Sequence, residues 1–117
     1  MSCDLKLINL HCVTTNDTVT DEVKMQQDGR QFWPNDGDGY FSISTGNDVV
    51  LGILRQFTGE STTISLYDDE DFGDDDFLGS ATISRREGDQ LERRQDIMAN
   101  GAHYVLTYKV RDNGVFD

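Results

Sequence analysis

The chain has 117 residues, a length that suits one domain, and 36% of them are hydrophobic, including six Phe, four Tyr and one Trp, enough for one compact core. Twenty-two Asp and Glu stand against ten Lys and Arg, a formal net charge of -12, which is the wrong sign for a nucleic-acid groove and removes DNA and RNA from the expected partners. No apolar run approaches the roughly 18 residues of a membrane-spanning helix, and β-formers and glycine turns recur too regularly for a disordered acidic chain.

The opening residues, Met1 to Lys6, carry neither a charged n-region nor a long apolar stretch, so no cleavable signal is expected. Cys3 and Cys12 stand nine residues apart on one extended segment, about 30 Å if it is a single strand, whereas a disulfide needs about 5.5 Å. Free thiols follow, and with them a cytoplasmic setting, or export without a cleavable signal peptide. The expected organisation is a single domain over 1–117, with its core at 4–111 and a frayed tail at 112–117.

The first strand is predicted over 4–14, with Leu5 and Leu7 on one face and Ile8, Leu10 and Cys12 on the other. Strands over 22–27 and 30–33 flank Asp28-Gly29, the pair that a type I′ hairpin turn requires. Strands over 40–44 and 49–54 flank a second turn at Thr45-Gly46-Asn47-Asp48. Further strands fall at 62–67 and 77–84, with Phe77 and Leu78 expected in the core. Residues 85–98 mix Glu and Arg at helical spacing with strand formers. A loop followed by a strand is preferred there, because Asn100-Gly101 asks for a strand on both sides, at 91–98 and 102–110. About eight short strands with turns between them predict an all-β fold, an antiparallel β-sandwich.

The chemistry is concentrated at residues 67–76, which hold seven carboxylates: Asp68, Asp69, Glu70, Asp71, Asp74, Asp75 and Asp76. Crowded carboxylates repel one another unless a cation neutralises them. Ca²⁺ suits such a loop because it takes six to eight oxygens in flexible geometry, whereas Mg²⁺ demands an octahedron and Zn²⁺ prefers Cys and His. The plainer alternative is a solvated acidic loop with no metal function. A second acidic stretch, Asn35 to Phe41, places Asp36 and Asp38 at the spacing of an EF-hand loop. The first and last ligand positions would be Pro34 and Thr45, so a turn carrying two acids is the preferred reading. His11 and His103 are the only imidazoles and no nucleophile motif accompanies them, so an enzyme is not expected.

The spacing of Asp68, Glu70, Asp76 and Gly79 resembles the third calcium loop of C2-type calcium- and phospholipid-binding domains. The resemblance implies an eight-stranded antiparallel sandwich, C2-like, with acidic loops clustered at one end. It also implies a first calcium loop upstream, with Asp21 as a ligand and Asn16 or Asp17 in place of an acid that the family carries where Thr15 stands. The implied Ca²⁺ ligands are Asp17, Asp21, Asp68, Glu70 and Asp76, with Asn16, Asp75, Asp36 and Asp38 as additional candidates. Glu70 is longer than the usual Asp, and Lys24 and Arg30 are nearly alone where many members carry a basic, lipid-facing strand, so the chain looks closer to small bacterial or phage C2-like sandwiches than to signalling modules. Phe72, at the loop apex, is a candidate contact for a membrane or a partner, or a cap on the sandwich. The functional expectation is a calcium-stabilised interaction or structural module whose partner is a protein or another copy. The alternative is calcium-dependent phospholipid binding, with membrane contact expected to be weak.

Overall fold

The computed structural model describes residues 2–70 and 73–113. Nine antiparallel strands form it: β1 (Cys3–Thr14), β2 (Thr20–Gln27), β3 (Arg30–Trp33), β4 (Phe41–Ser44), β5 (Asp48–Phe57), β6 (Ser61–Asp68), β7 (Asp76–Ser84), β8 (Arg93–Ala99) and β9 (Ala102–Asp112). One sheet has the order β5-β1-β9-β8, and the other the order β3-β2-β6-β7, with β4 also on β2. β3 pairs with Met25 to Gln27 of β2, and β4 with Thr20 to Val23. The two are one edge strand interrupted by residues 34–40, which brings the number to nine rather than about eight.

Local chemistry accounts for the two hairpins. Asp28 and Gly29 have φ of 50° and 86°, Asn100 and Gly101 have 51° and 85°, and these positive values twist a two-residue turn to match the strands. The turn after β4 behaves differently. It carries the chain from one sheet to the other, and it hydrogen-bonds to β1, with the Gly46 amide donating to the Cys12 carbonyl at 2.8 Å and the Cys12 amide to the Asn47 carbonyl at 2.9 Å. The stretch before the last hairpin is a single 3₁₀ turn, Arg85–Glu87, followed by a loop and then β8. Ser84 and Glu87 close a capping box on that turn.

The core lies between the sheets. Leu5, Leu7, Leu10 and Cys12 of β1 all face it, which corrects the strict alternation that put Leu10 and Cys12 opposite Leu5. A β-bulge between Leu7 and Asn9 adds one residue, Ile8, and so reverses the parity of everything after it. Val23, Met25, Ile43, Ile64, Leu66, Leu78, Ile83, Ile97, Tyr104, Leu106 and Val110 complete the core. Leu78 is buried as expected, but Phe77 is 38% exposed. Phe77 turns outward and meets Tyr67, the ring centroids 5.4 Å apart. Both cysteines are free and buried. Gly79, with φ of 124°, lets β7 press against β8: a Cβ there would stand 2.6 Å from the Met98 amide nitrogen. β9 continues through Asp112, where a frayed tail is expected, because Arg85 Nη1 pairs with Asp112 Oδ1 at 3.0 Å. Residues 114–117 of that tail lie outside the described residues.

Candidate metal centre

The alternation of β6 sends Ile64, Leu66 and Asp68 toward the interior. Asp68 thus reaches the end of the core with its side chain inward and 2% of its surface exposed. Its Oδ1 accepts the Glu22 amide of β2 at 2.7 Å, while its Oδ2, also buried, has no hydrogen-bond partner among the described residues. The strand register places Asp76 directly opposite Asp68, an unfavourable pairing of like charges. Glu70 then returns over both. Carboxylate oxygens of Asp68, Glu70 and Asp76 lie within 4.8 Å of one another. Oxygens bound to one Ca²⁺ at about 2.3–2.6 Å stand up to about 5 Å apart, so the cluster fits a single ion.

The electrostatics reflect the crowding. Burial pushes the Asp68 carboxyl up to about 6, with the charges of Asp21, Asp17 and Asp76 adding to it and the Glu22 amide opposing. Glu70 is raised as well, first by sharing a hydrogen bond with Asp76, then by desolvation and the neighbouring charges. A divalent cation reverses the sense of both effects, since it favours the ionised forms.

The first loop is built around Asp21, a fully buried residue of β2. Its Oδ2 accepts the Asn16 amide at 2.9 Å and the Tyr104 hydroxyl at 2.6 Å, and its Oδ1 accepts the Asp17 amide at 2.9 Å. Burial first, and then Asp21, drive the Tyr104 hydroxyl far above its ordinary value, so it remains a donor. Three of the roughly four acceptor sites of a carboxylate are therefore taken. Asp17 is exposed; its Oδ1 accepts only the Thr18 amide, at 3.1 Å, and its charge bears on Asp68. The Asn16 side-chain amide is committed to the Asn100 carbonyl at 2.7 Å, which ties this loop to the β8–β9 hairpin.

Lys24 is the site residue that sequence reasoning passed over. From the outer face of β2 its Nζ reaches Asp69 Oδ1 at 2.6 Å and Asp75 Oδ2 at 2.7 Å. Desolvation raises the Asp75 carboxyl, but Lys24 and the Glu70 amide outweigh it and hold the group below its usual range. Only the register of β2 against β6, with Lys24 beside Tyr67, reveals this contact. Asp75 thus faces the lysine and does not join the three-carboxylate cluster. Asp36 and Asp38 are exposed on the excursion between β3 and β4, where Gln31 Nε2 donates to the Asp38 and Gly39 carbonyls; neither belongs to the cluster. Phe72 lies outside the described residues. His11 pairs with Asp48 at 2.9 Å and His103 with Asp96 at 2.8 Å, and neither belongs to the three-carboxylate cluster.

No protein-family model and no curated protein matches the sequence. Solved structures do. A structure of CC2D1B is similar over 94% of this chain and 54% of that one, with a TM-score of 0.59 and 11% identity. The calcium-bound tandem C2 domains of Extended-Synaptotagmin 2 are similar over 94% of this chain and 44% of that one, at a TM-score of 0.51 and 15% identity. A structure of a C2 domain is similar over 95% of this chain and 98% of that one, with a TM-score of 0.51 and 16% identity. The chain spans about half the length of the first and less than half of the second. At these identities the likeness is one of fold, and together with two antiparallel sheets and the acidic β1–β2 and β6–β7 loops at one end it gives this chain a C2-like β-sandwich fold.

Proposed function

We propose that the chain is a calcium-binding C2-like module in which Ca²⁺ bound at the acidic loops stabilises the sandwich and prepares that end for a partner. The observation that carries the reading is Asp68 Oδ2, a buried acceptor with no donor among the described residues, on a carboxylate clustered with two others that repel it. Such an atom is costly unless a ligand satisfies it. Asp68, Glu70 and Asp76 form the carboxylate core of the site. Asp17, whose charge bears on Asp68, is the further ligand in this reading, and Asp21, with three hydrogen bonds already, offers at most one further bond and mainly shapes the loop. The donor set is all oxygen, which suits Ca²⁺ and leaves Mg²⁺ a poor substitute.

The partner in this reading is a protein surface or a second copy. Phospholipid contact is the weaker reading, because Lys24, the base nearest the loops on its sheet, is spent on Asp69 and Asp75, and the net charge of -12 opposes an anionic surface. Isothermal titration with Ca²⁺ tests the proposal. Wild type is expected to bind and Asp68→Asn with Asp76→Asn to lose most of that binding; no heat at millimolar Ca²⁺ overturns it. Sedimentation with phosphatidylserine vesicles, with and without Ca²⁺, and with Phe72→Ala, decides between lipid and protein.

A further inference from the structure

The loop carboxylates fall into two groups. Asp68, Glu70 and Asp76 converge on one position, while Asp69 and Asp75, each next in sequence to a member of that cluster, converge on the ammonium of Lys24. We propose that this ammonium is a resident cation that takes the place of a second divalent ion, so that the centre accepts one Ca²⁺ fewer than its carboxylates would otherwise hold. The proposal rests on the calcium reading above and deepens it by fixing the ion count and the residue that sets it.

The geometry is that of an occupied cation position. The two Nζ–oxygen distances are 2.6 and 2.7 Å, those of tight charge-assisted hydrogen bonds, so the ammonium fills the space between the two acids. The oxygens come from the two arms of one loop, Asp69 on the way out of β6 and Asp75 on the way into β7. The Asp69 amide is anchored to the Glu22 carbonyl at 2.7 Å. The second oxygen of Asp75 accepts the Glu70 amide at 3.2 Å. The Asp75 carboxylate and the Asp69 main chain are thus held in place by backbone, and the lysine comes to them from β2, whose own pairing with β6 is regular at this point. The lysine side chain is only 18% exposed, and Asp69 and then Asp75 favour its charged form. A divalent ion seeking these two acids must displace a partly buried ammonium already at contact distance. Among the described residues no such competitor stands at Asp68, whose buried Oδ2 has no hydrogen-bond partner there.

A salt bridge that merely straps the loop predicts a change in stability and no change in ion number. The test therefore counts ions, by native mass spectrometry and by titration with Ca²⁺ alone, in wild type, Lys24→Arg, Lys24→Gln and Lys24→Met, with far-ultraviolet dichroism confirming that each is folded. The expected result is one ion in wild type and Lys24→Arg, and two in Lys24→Gln and Lys24→Met. The gain should vanish when Asp69→Asn and Asp75→Asn are added to Lys24→Gln. Equal counts in wild type and both neutral variants overturn the proposal and leave the calcium reading intact. No ion in wild type but one in the neutral variants sinks the calcium reading of the Asp68 cluster and retains the resident cation. No ion in any variant sinks both.

Discussion

Asp68 shows how one side chain couples stability to solution conditions. Its folded-state value of about 6 lies above the ordinary carboxylate value of 3.8, so the native state binds a proton more readily than the unfolded chain between those two values. Stability of the metal-free protein then rises as pH falls from 7 toward 5 and is lost again as pH rises through 6. The carboxylates shifted the other way, such as Asp4, Asp48, Asp75 and Asp89, act only near and below 3.8 and do not mask this window. In EDTA, melting temperature is expected to be higher at pH 5 than at pH 7, and saturating Ca²⁺ should remove that slope. Asp68→Asn should flatten the slope too. The same substitution is expected to stabilise the metal-free protein by on the order of 1 kcal/mol, because it removes a buried like charge, while it abolishes the calcium response. A less stable metal-free Asp68→Asn would contradict this account.

Among the elements, what could be read in advance separates cleanly from what could not. Asp28-Gly29 and Asn100-Gly101 announced their hairpins because positive φ at adjacent positions is a local requirement that few residue pairs meet. Asp68, Glu70 and Asp76 stand out from the seven loop carboxylates by resemblance to a C2 calcium loop, and the pairing of β6 with β7 brings them together. The bulge at Ile8 was not legible, since nothing in the residues around it marks the parity change, and the same holds for the outward turn of Phe77. Lys24 meets Asp75 across 51 positions of sequence, a contact that only strand register creates. Two of the three hydrogen bonds on Asp21 are local to its loop, but the third, from the Tyr104 hydroxyl, joins β2 to β9 and could not be inferred from the loop alone. Gly79 belongs to this scale as well. Gly79→Ala sets a methyl carbon against the β8 backbone at a φ unsuited to L-residues, and is expected to cost about 2–4 kcal/mol, measured by urea denaturation. An unchanged midpoint would mean that the two sheets are not held apart at this spot by backbone contact.

For the whole molecule, the relevant quantity is how calcium linkage compares with the small net stability of a domain this size. A ligand at a hundredfold excess over its Kd adds about 2.7 kcal/mol, which corresponds to roughly 10 °C in melting temperature. Thermal melts in Ca²⁺ and in EDTA should differ by that order, with Mg²⁺ close to EDTA. Identical curves would show that the loops and the sandwich are not thermodynamically linked. The sheets themselves carry a further consequence, at the edge where β3 and β4 meet β2. A free sheet edge is a template on which a foreign strand can add. Here that edge is divided into two pieces of four residues each, separated by an excursion bearing Asp36 and Asp38. An incoming strand finds no continuous row of amides and carbonyls long enough to zip along, and meets negative charge where the row breaks. The interruption therefore serves as a guard against edge-to-edge polymerisation, and a variant with residues 34–40 replaced by a direct extended link is expected to form thioflavin-positive aggregates at concentrations where the wild type remains dispersed.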